Sequence, residues 1–196
     1  AIIGILGLVA EFSFAPGTGQ HAALLGSASF FGGFLVALFG DLLVKGKKPA
    51  VPFVISVFAL VTAGSYAAAG LNEPGLAGGL SIMGDLVVVD GLASFFRILF
   101  IFAGLATVLF AWTSEEIMGP KRENKGEFYA LILFCLAGMY LMLQTTHLMM
   151  ILIGLEVFSL ALYVMTGMTR GRVRSIEAAL KYFLRGAFSS GFMVYG

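Results

Sequence analysis

The sequence predicts an all-α polytopic membrane protein with about six transmembrane helices. Of its 196 residues, 59% are hydrophobic and only 12% are charged, and the mean hydropathy is +0.98. Soluble domains carry about 25% charged residues, which cover their water-facing surface. A chain with half that share has lipid as its natural solvent. The 26 glycines and 19 phenylalanines suit helices that approach closely in a bilayer and fill the remaining gaps with aromatic rings.

The spans follow from the lengths of the apolar runs. A helix needs about 20 apolar residues to cross the roughly 30 Å hydrocarbon core, where backbone polar groups must be satisfied internally. Six windows meet this requirement, and the segments between them are polar or rich in glycine and proline. We predict spans at approximately 22–44, 51–71, 92–113, 127–144, 147–168 and 176–196.

An apolar N-terminal segment, residues 1–21, precedes these spans. Its first twelve residues reach only about 18 Å as a helix, so they cannot cross the bilayer alone. We interpret the segment as a truncated span or an interfacial segment. The chain starts without Met and stops within an apolar run, so we expect it to be a fragment of a longer protein. The rest divides into 22–126, with spans one to three, and 127–196, with spans four to six.

Lys and Arg residues, which short loops retain on the cytoplasmic side, predict the orientation. Nine of the twelve lie in the loops that follow the first, third and fifth spans. The alternate loops, 72–91 and 144–147, contain no Lys or Arg. We therefore predict that these two loops lie outside and that the basic loops lie in the cytoplasm.

Composition excludes several classes of function. The net charge is +1 and no basic stripe alternates with aromatic residues, so the pattern expected for nucleic-acid binding is absent. A single cysteine, Cys135, cannot form an intramolecular disulfide. The sequence has no CxxC motif or Cys/His cluster for a metal or iron–sulfur centre, so we expect no redox cofactor in this chain.

Glu156 is the residue with the strongest indication of chemistry. It lies near the middle of the fifth span, where an ionisable group costs at least about 2.5–3.5 kcal/mol and therefore marks a functional site. Burial favours a protonated carboxyl group and a nearby cation favours an ionised one, so such a residue can change protonation when its partner moves. A proton relay requires this property. The alternative is a static ion pair that holds two helices together.

The sixth span supplies two cations on one helical face, because Glu177, Lys181 and Arg185 are spaced by four residues. Counted from the cytoplasmic helix ends at about 1.5 Å per residue, Arg185 lies closer in depth to Glu156 than Lys181 does. Lys can lose its proton when buried, whereas Arg effectively cannot. We therefore assign Lys181 to proton passage and Arg185 to electrostatic pairing with Glu156. Snorkelling to the interface is the alternative for Lys181.

Other polar residues have supporting roles. Asp90 and Arg97 flank the start of the third span, and we interpret both as anchors at the membrane interface. His147, at the outer end of the fifth span, is interpreted as a cap or interface residue rather than a proton donor. Ser159 and Tyr163 follow Glu156 on its own helical face, where hydroxyl groups can bond across helices or support a water chain.

Three blocks of sequence carry a resemblance to a known family. They open the fourth span (EFYALILF, 127–134), form the fifth (HLMMILIGLEVFSLALY, 147–163) and form the sixth (SIEAALKYFLRGA, 175–187). These blocks resemble the N-subunit family of respiratory complex I, the proton-pumping NADH:quinone oxidoreductase. The third block is the most specific, because the related L and M subunits and multisubunit cation/proton antiporters differ there. Residues 1–80 match in hydropathy alone.

The resemblance implies the N-terminal part of an antiporter-like fold of about fourteen helices, with two inverted five-helix repeats. It also implies that Glu156 takes part in proton translocation together with a lysine on a later, broken helix, and that Lys181 is an intramembrane charge. Two positions depart from the family: Ala161 stands where proline is common, and Arg185 stands where an apolar residue is usual.

The resemblance further implies a proton-translocating subunit that couples quinone reduction to proton transfer. Its expected partners are the other membrane-arm subunits, the lipid bilayer and protons, with no nucleic acid. NADH or another donor, FMN, iron–sulfur clusters and quinone are expected in other subunits, in a complex of the bacterial plasma (inner) membrane. The alternatives are a subunit of a multisubunit cation/proton antiporter and a structural membrane-arm module.

Overall fold

The computed structural model describes residues 32, 50–71, 80–82, 87–113, 125–169 and 172–195. These residues form five long helices and one hairpin. In chain order the elements are α1 (Ala50–Leu71), β1 (Leu80–Ile82), β2 (Val87–Val89), α2 (Gly91–Thr113), α3 (Lys125–Leu143), α4 (Leu148–Thr166) and α5 (Val173–Tyr195).

The five helices correspond to the second to sixth predicted spans, and their ends agree with the prediction to within three residues. The N-terminal segment 1–21 lies outside the described residues, as does the first span except for Gly32, which is helical. Local chemistry explains two of the helix starts. The side chain of Asp90 accepts the backbone N–H of Ala93 at 2.7 Å and so caps α2. Helix α4 begins after His147, whose backbone carbonyl accepts the N–H of Ile151 at 3.0 Å in the first intrahelical bond and whose side chain makes no capping hydrogen bond.

Among the described helices, three are long and apolar enough to cross a bilayer, namely Gly91–Thr113, Gly126–Leu143 and Leu148–Thr166. Helix α1 contributes a shorter apolar stretch, Val51–Ser65. Helix α5 carries Glu177, Lys181 and Arg185 and falls outside this group. Large apolar side chains on the outside of the bundle, such as Phe102 and Phe110 of α2, are 73% and 76% exposed, as expected for a surface that faces lipid.

Helix α3 is the centre of the described bundle. It packs against α1, α2 and α4, and most of its apolar residues are buried, including Tyr129, Leu133 and Tyr140. Helix α5 packs on α4, and none of its residues is fully buried. The core therefore lies between α1, α2 and α3, and α4 links that core to α5.

Two glycines allow α3 and α4 to cross in backbone contact. A Cβ atom added at Gly138 would lie 2.6 Å from the backbone N of Phe158 and 2.7 Å from the carbonyl oxygen of Gly154. Small residues permit such close approach in membrane proteins, where van der Waals contact drives helix association. This crossing fixes the position of α4, and with it the position of Glu156.

The hairpin and the loop before α4 meet at one end of the bundle. Strands β1 and β2 are antiparallel, with Leu80 opposite Val89. The backbone N–H of Val88 donates to the carbonyl oxygen of Gln144 at 2.6 Å. Strand β2 and the loop that begins at Gln144 are therefore at the same end, in agreement with the alternation predicted from the charges. The two short strands were not predicted from the sequence, and the fold is otherwise helical as predicted.

Candidate functional site

Glu156 lines a cavity between α4 and α5. Glu156 is the ninth residue of the 19-residue helix α4, and it is half-buried. It forms no hydrogen bond or ion pair with the described part of the chain. The cavity has a volume of about 380 Å³, and its lining combines apolar side chains with the polar groups of Glu156, Tyr163 and Ser190. A half-buried carboxyl group beside an open, partly polar space can form hydrogen bonds with water held there.

Tyr163 is held firmly at the edge of this cavity. Its ring meets Tyr182 at a centroid distance of 4.8 Å and Phe183 at 5.7 Å, both nearly perpendicular. The hydroxyl end of Tyr163 rests against Gly186, where an added Cβ would overlap the hydroxyl oxygen and lie 2.5 Å from Cζ. The absence of a side chain at Gly186 therefore makes room for the Tyr163 hydroxyl.

The hydroxyl group of Ser190 supplies polarity on the α5 side of the cavity. It donates to the carbonyl oxygen of Gly186 at 3.1 Å, one turn earlier in the helix. Its oxygen keeps acceptor capacity for water in the cavity. Sequence reasoning predicted Tyr163 on the face of Glu156 but missed Ser190, because it directed the charged face of α5, with Lys181 and Arg185, toward Glu156, and Ser190 lies on the other face.

The structure does not bring Lys181 or Arg185 to Glu156. The cavity is lined from α5 by residues that include Phe183, Ala187 and Ser190. Lys181 and Arg185 lie two residues to either side of Phe183, which at about 100° per residue places them on the opposite side of the helix. Lys181 instead forms an exposed ion pair with Glu177. The roles assigned to Lys181 and Arg185 from the sequence therefore remain predictions.

Arg97, interpreted from the sequence as an anchor at the membrane interface, is buried within the bundle. Arg97 is only 3% exposed, and its guanidinium carbon lies 5.2 Å from the centroid of the Tyr140 ring. Asp90, by contrast, is exposed and caps α2 as described above. From the sequence alone, a single cation near the start of an apolar span is equally compatible with an exposed anchor and with a buried charge. The rotation of α2 about its axis, which turns Arg97 toward α3, determines which of the two it is.

Two smaller interpretations concern α4. His147 is exposed and stands at the N-cap position, but its side chain makes no hydrogen bond to the helix, so its role as a cap or interface residue stays a prediction. Helix α4 continues without interruption through Ala161, which is fully buried. Ser159 is half-buried and does not line the cavity.

Comparisons with known proteins support this fold. The family described as NADH:quinone oxidoreductase/Mrp antiporter, TM matches residues 145–196. Subunit N of NADH-quinone oxidoreductase from Trichlorobacter lovleyi is 39% identical over 163 residues, covering 83% of this chain and 32% of the relative. Subunit N 2 from Chloroherpeton thalassium is 34% identical over 193 residues, covering 92% of this chain and 37% of the relative. A chain of respiratory complex I from Thermus thermophilus, solved with bound aureothin, superposes with a TM-score of 0.67 at 26% identity. The match covers 87% of this chain and 35% of the Thermus chain.

The helical fold and the acid inside it define an antiporter-like, multi-pass membrane protein. Similarity to the Chloroherpeton relative extends over nearly all of this chain, including the part that resembled the family in hydropathy alone. The chain belongs to the N-subunit family of NADH-quinone oxidoreductase. It spans about a third of the length of the curated relatives that it matches.

Adding a methyl group at Gly186 should displace Tyr163. In the Gly186→Ala variant the ring must leave its place between Tyr182 and Phe183, so we expect a lower melting temperature of the complete complex and weaker packing of α5 on α4. The Gly191→Ala variant is the control, because a Cβ there meets nothing within 4 Å. Since the hydroxyl is the main obstacle, adding Tyr163→Phe should restore part of the loss. Equal melting temperatures of the two alanine variants would contradict the assigned contact.

Proposed function

We propose that this chain is part of a proton-translocating membrane-arm subunit of a bacterial NADH:quinone oxidoreductase, with Glu156 as a proton-carrying group. The observation that carries the proposal is the position of Glu156, half-buried at the middle of α4 and facing a cavity of about 380 Å³. The family relatives are subunits of this oxidoreductase, which supports the assignment of the activity to the whole protein.

In the proposed mechanism Glu156 gains and loses a proton through water in the cavity. The hydroxyl groups of Tyr163 and Ser190 line the same space and offer hydrogen-bonding positions to that water. The charge on Glu156 responds to nearby cations, because an opposite charge favours the ionised carboxylate and burial favours the neutral acid. Lys181 is proposed to act from the far side of α5 when its ion pair with Glu177 opens.

The proposal places the redox chemistry in other subunits. NADH or another donor, FMN, iron–sulfur clusters and quinone would bind there, and neighbouring membrane-arm subunits would contact this one within the bacterial plasma membrane. Among the described residues no group of three or more His, Cys, Asp or Glu side chains is placed to hold a metal ion. The residues of this chain would transfer protons and charge.

The Glu156→Gln variant of the complete complex tests the proposal. It keeps the size and polarity of the side chain but removes the titratable group, and a positioned group of this kind contributes ~10²-fold or more to proton transfer. We expect proton pumping per NADH oxidised, measured in proteoliposomes, to fall to a small fraction while the complex still assembles. The Glu156→Asp variant keeps a carboxyl group and should retain part of the pumping.

Two other outcomes would favour the rivals. Parallel losses of assembly and pumping in Glu156→Gln would identify Glu156 as part of a structural module. Sodium-dependent proton exchange without NADH would identify a cation/proton antiporter. Normal proton-to-electron stoichiometry in Glu156→Gln would overturn the assignment of Glu156.

A further inference from the structure

A buried arginine at the end of the bundle near the hairpin has an unfilled hydrogen-bonding edge. Arg97 lies in the second turn of α2 and is 3% exposed. Its Nε and Nη2 atoms have no hydrogen-bond partner within the described ranges. These two N–H groups form the side-on fork of the guanidinium, whose spacing matches two oxygens of a single oxyanion.

The groups that surround Arg97 do not fill this fork. The Tyr140 ring stabilises the positive charge through a cation–π contact, which supplies no acceptor to Nε and Nη2. Asp90 attracts the guanidinium electrostatically, but Oδ1 of its carboxylate accepts the backbone N–H of Ala93. The charge of Arg97 is thus partly balanced at a distance, while its fork remains without an acceptor.

A further unused donor lies one turn beyond Tyr140. Gln144 is 2% exposed, and its side-chain Nε2 also lacks a hydrogen-bond partner among the described residues. The backbone of Gln144 is fixed by its bond from Val88, which joins the hairpin to the end of α3. Buried donors left unpaired are costly, and native structures almost always supply them with an acceptor. Arg97 and Gln144 therefore present more buried N–H donors than the described residues supply with acceptors, and Arg97 adds a positive charge.

We propose that the Arg97 fork, together with Nε2 of Gln144, binds a phosphate group. A phosphate offers several acceptor oxygens and neutralises the buried cation, whereas a water molecule supplies an acceptor without charge. Arg97 lies about 9 Å along the axis from the start of α2, and its guanidinium reaches Tyr140, close to the last residue of α3. The phosphate can thus come from a phospholipid headgroup or from inorganic phosphate in solution.

Thermal unfolding of the complete complex in phosphate-free detergent buffer tests the site. One arm adds inorganic phosphate, a second adds short-chain phosphatidylglycerol, and sodium chloride of equal ionic strength provides the baseline. We expect one of the first two arms to raise the melting temperature of the wild-type complex by at least about 2 °C, since a ligand that binds the folded state alone stabilises it. A rise with the lipid alone assigns a headgroup, a rise with inorganic phosphate alone assigns the free ion, and a rise with both supports a phosphate site that accepts either source.

The Arg97→Lys variant separates the fork from the charge. It keeps a buried cation, so the complex should still assemble, but it loses the side-on pair of donors and should lose the rise in melting temperature. Gln144→Met removes the third donor and should reduce the rise, which keeps the test informative if Arg97→Lys assembles poorly. The exposed Arg174, at the start of α5, provides the control: Arg174→Lys should respond as the wild type does.

The site is overturned if phosphate, lipid and chloride have equal effects on the wild type, or if Arg97→Lys and Gln144→Met respond fully. A map of the complete complex gives an independent decision. Tetrahedral density within hydrogen-bonding distance of Nε and Nη2 supports the phosphate, and density of a single atom there shows water or an adventitious ion only. Neither measurement depends on proton pumping, so the site can fail without affecting the function proposed for Glu156.

Discussion

The Gly138→Ala variant is expected to force α3 away from α4 and to destabilise the bundle strongly. Its new methyl group would lie 2.6 Å from the backbone N of Phe158 and 2.7 Å from the carbonyl oxygen of Gly154. Backbone atoms cannot rotate aside as a side chain can, so the two helices must separate along their contact. Overpacking typically costs about 1–3 kcal/mol, and we expect this variant to reach or exceed the upper end of that range. The melting temperature and the yield of the assembled complex measure the effect.

Two further glycines on neighbouring helices provide matched controls for this prediction. At Gly104 the nearest atom to an added Cβ is Cδ1 of Leu136 at 2.6 Å, which lies at the end of a flexible side chain and can move. At Gly64 the nearest atom is Cγ2 of Ile101 at 3.5 Å, an ordinary contact. Alanine also favours the helix over glycine by roughly 0.5–1 kcal/mol. Gly64→Ala should therefore be neutral or stabilising, Gly104→Ala mildly destabilising, and Gly138→Ala the worst; a Gly138→Ala variant as stable as Gly64→Ala would refute the close crossing.

The positions of the described helices could be predicted because they depend on the length and polarity of each segment alone. A run of apolar residues long enough to cross a bilayer must form a helix, and the polar and glycine-rich segments between the runs interrupt it. The same reasoning placed Glu156 in the middle of its helix, since depth follows from counting residues. Loops 72–91 and 144–147 were placed at the same end by alternation, and the bond between Val88 and Gln144 agrees.

The rotation of each helix about its axis could not be predicted in the same way. Helices α1, α3 and α4 are apolar on all sides, so the sequence contains little information on which face meets a neighbour. Arg97 of α2 was expected at the interface and is buried, and Arg185 of α5 was expected to pair with Glu156, whereas the cavity beside Glu156 is lined by other residues of α5. The hairpin was missed because strands of three residues produce no clear alternation.

Filling the cavity beside Glu156 should stop proton movement as effectively as removing the carboxyl group. Ala187 lines the cavity from α5, opposite the helix that carries Glu156 and Tyr163. In the Ala187→Phe variant the ring would occupy space that water needs and would separate Glu156 from the hydroxyl groups of the lining. Since Glu156 keeps its carboxyl group, any loss of pumping must come from the loss of that water. We expect the stoichiometry of protons to NADH in proteoliposomes to fall as far as in Glu156→Gln.

A phenylalanine on the lipid-facing surface controls for the added bulk. Ala103 of α2 is exposed, next to the exposed Phe102, so Ala103→Phe adds the same ring where the bundle has open space. This variant should pump normally, and both variants should oxidise NADH with quinone at a rate that shows intact assembly. Full pumping by Ala187→Phe together with failure of Glu156→Gln would mean that Glu156 receives its protons from a direction other than this cavity. Ala187→Phe removes the water through which protons would reach Glu156, whereas Glu156→Gln removes the group that would carry them. The two variants are expected to lose pumping equally only if the protons that Glu156 carries pass through this cavity.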